Sequence, residues 1–137
     1  LIFDYGDTES EFLHDSRFQG ALKCHYKQTI NFDPFQYLGL QDITTSVNFT
    51  RVARLAVGVG FELLGYTTLE SFLTHNGIEF FFNEESKKSI ENQYKAAQEA
   101  KTLLLASEMG HNIKVMALGK NFISNLSGFS VDLTYRL

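Results

Sequence analysis

The sequence predicts an α+β domain, mainly antiparallel β, folded as a small barrel or curved sheet that carries one long helix. Three observations predict it. Apolar and polar residues alternate over several short runs, the period of half-buried strands. One stretch, about residues 84–109, repeats its apolar residues at helical spacing instead. The whole chain has 137 residues, which fits a single domain over 1–137 and buries a core without metal or disulfide staples.

Residues 1–19 are acidic and irregular, with Asp4, Asp7, Glu9, Glu11 and Asp15. They read as an N-terminal arm with a helical turn near Ser10 to Phe18, ahead of a β-rich core over 20–137. From Leu22 to Phe32, Leu22, Cys24, Tyr26, Ile30 and Phe32 alternate with polar residues, so a strand is expected; Asp33-Pro34 ends it, because proline cannot donate to a ladder. Ile43, Thr45, Val47 and Phe49 mark a second strand. Val52 to Leu64, with Gly58 and Gly60, reads as a bent strand, with a short helix at Arg51–Val57 as the competing assignment. Leu69–Thr74 and Ile78–Phe82 flank His75-Asn76-Gly77, and Asn-Gly is a hairpin turn signal, so these two segments are expected to pair. Asn83 would cap the long helix, with Glu84 and Glu85 complementing its dipole. Its inner stripe would hold Ile90, Tyr94, Ala97, Leu104 and Leu105, and Gly110 would end it in a left-handed conformation. Two strands close the chain: Ile113–Leu118, apolar on both faces and so central, and the alternating Phe129–Tyr135.

Composition excludes more than it identifies. The net charge is −4, and no basic stripe of the kind that binds nucleic acid is present. No run of 18 apolar residues exists, so no transmembrane segment is expected. The chain opens on Leu1, so a signal peptide could have been removed; secreted or periplasmic placement follows in that case, cytoplasmic placement otherwise. Cys24 is the one cysteine and reads as a small buried hydrophobe. The four histidines, His14, His25, His75 and His111, have no metal-ligand spacing. Asp4 to Glu9 lacks the spacing of a calcium loop, and Gly58-Val59-Gly60 lacks a phosphate-binding pattern. Asn48 and Asn125 open glycosylation acceptor patterns. Neither catalytic residues nor a metal nor a cofactor is indicated. Lys101, within the helix stripe, either snorkels to the edge or meets a subunit.

Residues 72–135 carry a resemblance. Gly77-Ile78-Glu79-Phe80-Phe81-Phe82, then Glu85-Ser86-Lys87-Lys88-Ser89-Ile90, the helix, Gly110, Ile113-Lys114-Val115 and the final strand resemble the B subunits of bacterial A–B toxins of the cholera, heat-labile enterotoxin and subtilase-cytotoxin type. Those are oligonucleotide/oligosaccharide-binding (OB) barrels. The resemblance implies a secreted, ring-forming homo-oligomer that binds cell-surface glycans, with Lys120 and Asn121 nearest to the sugar-contacting positions. The family's tryptophan and disulfide have no counterpart here.

The expected function is therefore a non-enzymatic binding module recognising carbohydrate or a protein partner, with Lys120, Asn121, His75 and Asn76 as ligand-binding candidates. Two alternatives stand beside it. One is an acidic intracellular interaction or immunity-like protein. The other is a small α+β enzyme or carrier with a Phe-lined apolar cavity and a polar group such as His25 or Tyr26 inside.

Overall fold

The computed structural model describes residues 1–14, 20–86 and 89–137. Among the described residues there are two sheets, and neither closes into a barrel. The main sheet has four strands in the order β5-β1-β7-β6: β1 (Ile2–Asp7), β5 (Val47–Asn48), β6 (Glu62–Thr68) and β7 (Ile113–Gly119). Strand β7 is antiparallel to both β1 and β6, with Ile2 opposite Met116 and Thr68 opposite Lys114. Strands β1 and β6 therefore run parallel to each other, and β5 runs parallel to β1. The second sheet, β3-β2-β4, is an insertion between β1 and β5: β2 (Leu22–Tyr26), β3 (Thr29–Asn31) and β4 (Asp42–Thr45).

The OB barrel with one long helix is thus overturned. The apolar β7 is central, as its two-faced pattern demands, and both its faces are covered. On one face, Ile113, Val115 and Ala117 pack with Leu69 and Phe129. On the other, Met116 packs with Phe49, Ala53 and Tyr66. The second group rests on α2 (Phe49–Gly58), so the helical alternative for Arg51–Val57 prevails over a strand. Asn48 caps α2, accepting from the Arg51 N–H at 2.9 Å. A Cβ on Gly6 would lie 2.3 Å from the Val47 carbonyl and 2.7 Å from the Phe49 ring, so only glycine lets β1 approach β5 here.

Other elements also differ from expectation. The N-terminal arm is not an appendage: β1 lies inside the main sheet, and α1 (Glu9–Phe12) follows it directly. The rest of the expected Ser10–Phe18 turn, from 15 on, lies outside the described residues. The Leu22–Phe32 run is a hairpin rather than one strand. Its turn is Lys27-Gln28, with φ of 45° and 63°, the left-handed pair of a tight hairpin without its usual Asn-Gly. The expected hairpin around Asn76-Gly77 is instead two helices, α3 (Leu69–His75) and α4 (Ile78–Ser86). Thr68 caps α3, accepting from the Ser71 N–H, and Leu69, Phe72 and Leu73 face the core.

The long helix is interrupted. Its second part is α5 (Ile90–Leu104), capped by Ser89 rather than Asn83; Lys87 and Lys88, part of the toxin-like opening, lie outside the described residues. The stripe is rotated: Ala96 is buried, Leu103 packs against the core, and Ile90 and Tyr94 are exposed. Lys101 is exposed too. Gly110 sits within α6 (Met109–Asn112), pressed against the Leu104 carbonyl. No final strand forms. Phe129 and Tyr135 fall in 3-10 turns at Ser127–Phe129 and Thr134–Arg136. Between them, Asp132 accepts from the Tyr66 N–H at 3.1 Å and the Leu133 N–H donates to the Tyr66 carbonyl at 2.7 Å.

Candidate functional site at the carboxyl edge of the sheet

Because β1 and β6 are parallel, their carboxyl ends open on one edge of the sheet, where open α/β sheets bind ligands. The amino end of β7 and the last residues of the chain join them there. A cleft of about 530 Å³ lies at this edge, lined by Glu11, Thr67, Glu70, His75, His111, Lys114 and Arg136 among others.

The charged side chains of this cleft are matched in pairs. The Lys114 ammonium, on a side chain only 11% exposed, reaches Asp7 at 3.5 Å and donates to the His111 carbonyl at 2.5 Å. Arg136 meets Glu11 at 2.7 Å. Glu11 also accepts from the Thr8 N–H at 3.1 Å and from its hydroxyl at 3.0 Å. Burial raises the Glu11 pKa, but the Thr8 bonds and Arg136 together outweigh it and hold the carboxyl below its usual range. His111 Nε2 lies 2.8 Å from Glu70. The contact ties the His111 ring to α3 through Nε2.

Two buried hydroxyls have no partner among the described residues: Tyr66, 1% exposed, and Thr67, 0% exposed. Buried polar atoms are rarely left so. Burial and the nearby Glu11 and Asp7 carboxylates push the Tyr66 hydroxyl pKa well above its ordinary value.

The binding residues expected from the sequence do not converge. His75 lines the cleft, its Nδ1 bonded to the Ser71 carbonyl at 2.8 Å. Asn76 follows it as the C-cap of α3. Lys120 and Asn121 lie past the other end of β7, at the opposite edge; Lys120 sits over the Phe61 ring, 4.6 Å from its centroid. Sequence reasoning missed Asp7, Glu11, Lys114 and Arg136. One signal was available: Thr8-x-x-Glu11 is a capping-box, helix-start pattern. It marks a strand–turn–helix where a solvated acidic arm was expected. Cys24 is 0% exposed, as a small buried hydrophobe should be. Among the described residues no group of three metal-ligating side chains forms, and no helix is long and apolar enough to cross a membrane.

Comparison with known proteins changes the functional assignment. Residues 1–67 match a family model described as "Putative S-adenosyl-L-methionine-dependent methyltransferase". The matching model is a methyltransferase model. Two solved structures are similar to nearly the whole chain. One is a Burkholderia thailandensis superfamily member, described as a "likely methyl transferase", bound to S-adenosyl-homocysteine; it is 37% identical, with a TM-score of 0.92, over 98% of this chain and 35% of that one. The other is an uncharacterized protein of that superfamily from the same organism in a native crystal structure, also 37% identical, with a TM-score of 0.93, over 98% of this chain and 36% of that one. The chain thus spans about a third of the length of these structures. No curated protein matches it significantly. These findings overturn the toxin-subunit resemblance and the non-enzymatic carbohydrate-binding reading built on it. The α+β enzyme alternative fits them better.

Proposed function

We propose that this chain is part of an S-adenosylmethionine-dependent methyltransferase and supplies the carboxyl-edge portion of its active site. One observation carries the reading: 98% of the chain superposes, at 37% identity, on a protein crystallised with S-adenosyl-homocysteine. The residues present suit such a cosubstrate. It bears an ammonium, a carboxylate and a ribose diol but no phosphate, so the lack of a phosphate-cradling glycine loop is no obstacle. Glu11 and the unpartnered Thr67 hydroxyl, both lining the cleft, are the groups that would hold it or the methyl acceptor. When bound, it supplies a methyl group activated by a sulfonium.

The chain's own residues have roles that follow from their geometry. The Lys114–Asp7 and Arg136–Glu11 pairs tie β7 and the C-terminal segment to the β1–α1 turn and so set the shape of the cleft. Glu70 orients the His111 ring at the cleft through Nε2. Isothermal titration of S-adenosyl-homocysteine into the full polypeptide encoded with this chain tests the proposal. Saturable binding with competition by S-adenosylmethionine is expected, and absence of binding at millimolar ligand would sink it.

A further inference from the structure

A second recess lies on the other flank of β1, between that strand and the inserted sheet. Its volume is about 450 Å³, and Tyr5, Lys23, His25, Ile30, Asp42 and Thr44 line it. The strand register explains the grouping. His25 stands opposite Asp42 and Lys23 opposite Thr44, while Ile30 stands opposite His25 on the other neighbour. One face of the small sheet therefore presents a cation, an anion, an imidazole and a hydroxyl toward the Tyr5 ring.

The charges here are arranged unlike those of the edge cleft, where each acid faces a base. Lys23 and Asp42 are diagonal neighbours, roughly 7–8 Å apart at the backbone. Neither they nor His25 nor Thr44 makes a side-chain hydrogen bond or ion pair with a described residue. Tyr5 and Ile30, both partly exposed, add apolar surface to the recess. A ligand with one charge would match Lys23 or Asp42 and leave the other charge facing it without a partner. A neutral ligand would leave both unmatched.

We propose that this pocket binds a zwitterion, its carboxylate held by Lys23 and its ammonium by Asp42, with His25 and Thr44 as further hydrogen-bonding groups. The head of an α-amino acid has this chemistry. It occurs at the methionyl end of the cosubstrate and on a free amino acid serving as methyl acceptor. Assigning either source to the pocket rests on the methyltransferase reading, whereas recognition of the zwitterion does not.

Three probes titrated into the full polypeptide separate these cases: S-adenosyl-homocysteine, 5′-methylthioadenosine (the nucleoside thioether without the amino-acid head) and L-methionine. Lys23→Met and Asp42→Asn are the variants. Both positions are exposed, and circular dichroism melting verifies their folding. If the pocket holds the cosubstrate's head, each variant weakens S-adenosyl-homocysteine by at least about tenfold, the loss of a charged hydrogen bond, and leaves 5′-methylthioadenosine unchanged. If it holds an acceptor, S-adenosyl-homocysteine binding is unaffected, and L-methionine binds alongside it in the wild type but not in the variants. L-methionine binding without either nucleoside would retain the pocket and refute the methyltransferase reading. Wild-type and variant affinities within twofold for both S-adenosyl-homocysteine and L-methionine, or failure of both to bind the wild type, would overturn the pocket.

Discussion

Replacing Phe49 by alanine tests the packing that places the carboxyl edge. Phe49 is the first residue of α2, is 0% exposed, and lies 5.3 Å from the Tyr66 ring, centroid to centroid. It also closes over Gly6 of β1. Removing such a ring leaves a cavity that its rigid neighbours, Met116 and Ala53, fill only in part. The cost is about 4 kcal/mol, a large share of a stability on the order of 5–15 kcal/mol. With a urea m-value of about 2 kcal/mol/M, the unfolding midpoint falls by about 2 M. Leu55→Ala, on the same helix but 64% exposed, stays within about 0.5 kcal/mol. Gly6→Ala destabilises on its own, and Phe49→Ala relieves only part of that, because the Val47 carbonyl still blocks the added methyl. Equal costs at positions 49 and 55, or a cost below about 1 kcal/mol at 49, would refute the assignment of the buried face of α2 and with it the seating of β1 against β5.

Glu11→Gln should flatten the acid limb of the stability curve. The carboxyl titrates lower when folded than when unfolded, so its contribution is present above about pH 4.5 and fades as pH falls through its lowered folded value; urea midpoints between pH 6 and 3 that fall equally in wild type and variant would refute this. Tyr66→Phe removes a buried hydroxyl without a partner and should be neutral or stabilising by up to about 1 kcal/mol, so a thermal melt that drops sharply would reveal an unseen partner. Ser89→Ala should cost about 1 kcal/mol, the worth of an N-cap, because its hydroxyl accepts from the Asn92 N–H at 3.1 Å. Asn83, inside α4, does not cap α5, and an unfolding free energy unchanged by Ser89→Ala would count against the observed helix start.

The parts of the fold that depend on burial were legible in the sequence. The two-faced apolar run of β7 could only be a central strand; 90–104 is helical as expected, but its predicted inner stripe is not the buried one, since Ile90 and Tyr94 are exposed. Tertiary context decided the rest. Leu69–Phe82 fits two readings, since Asn-Gly serves a hairpin turn and also a helix end with Gly77 in the left-handed region, φ 77°. The stronger cue was Thr68 followed by Leu69, Phe72 and Leu73 at helical spacing. Phe129 to Tyr135 alternate like a strand, but Asp132 and Leu133 engage the Tyr66 backbone at separate points rather than through a ladder. The site was hidden for a related reason. Its residues, from Asp7 to Arg136, are distant in sequence and meet only because β7 lies between β1 and β6. Lys23 and Asp42 are invisible as a pair until the register of β2 and β4 is known.

That central position of the last strand has a consequence for how the chain reaches its native state. Tyr5 pairs with Ile113, so the ladder joining β1 to the sheet closes a loop of nearly the whole chain, a slow step in folding. Until β7 arrives, β1 and β6 each present an unpaired edge, the kind of surface on which chains aggregate. A chain truncated before Ile113 should therefore be more prone to proteolysis and association than one truncated after Gly119, as limited digestion of the two would reveal.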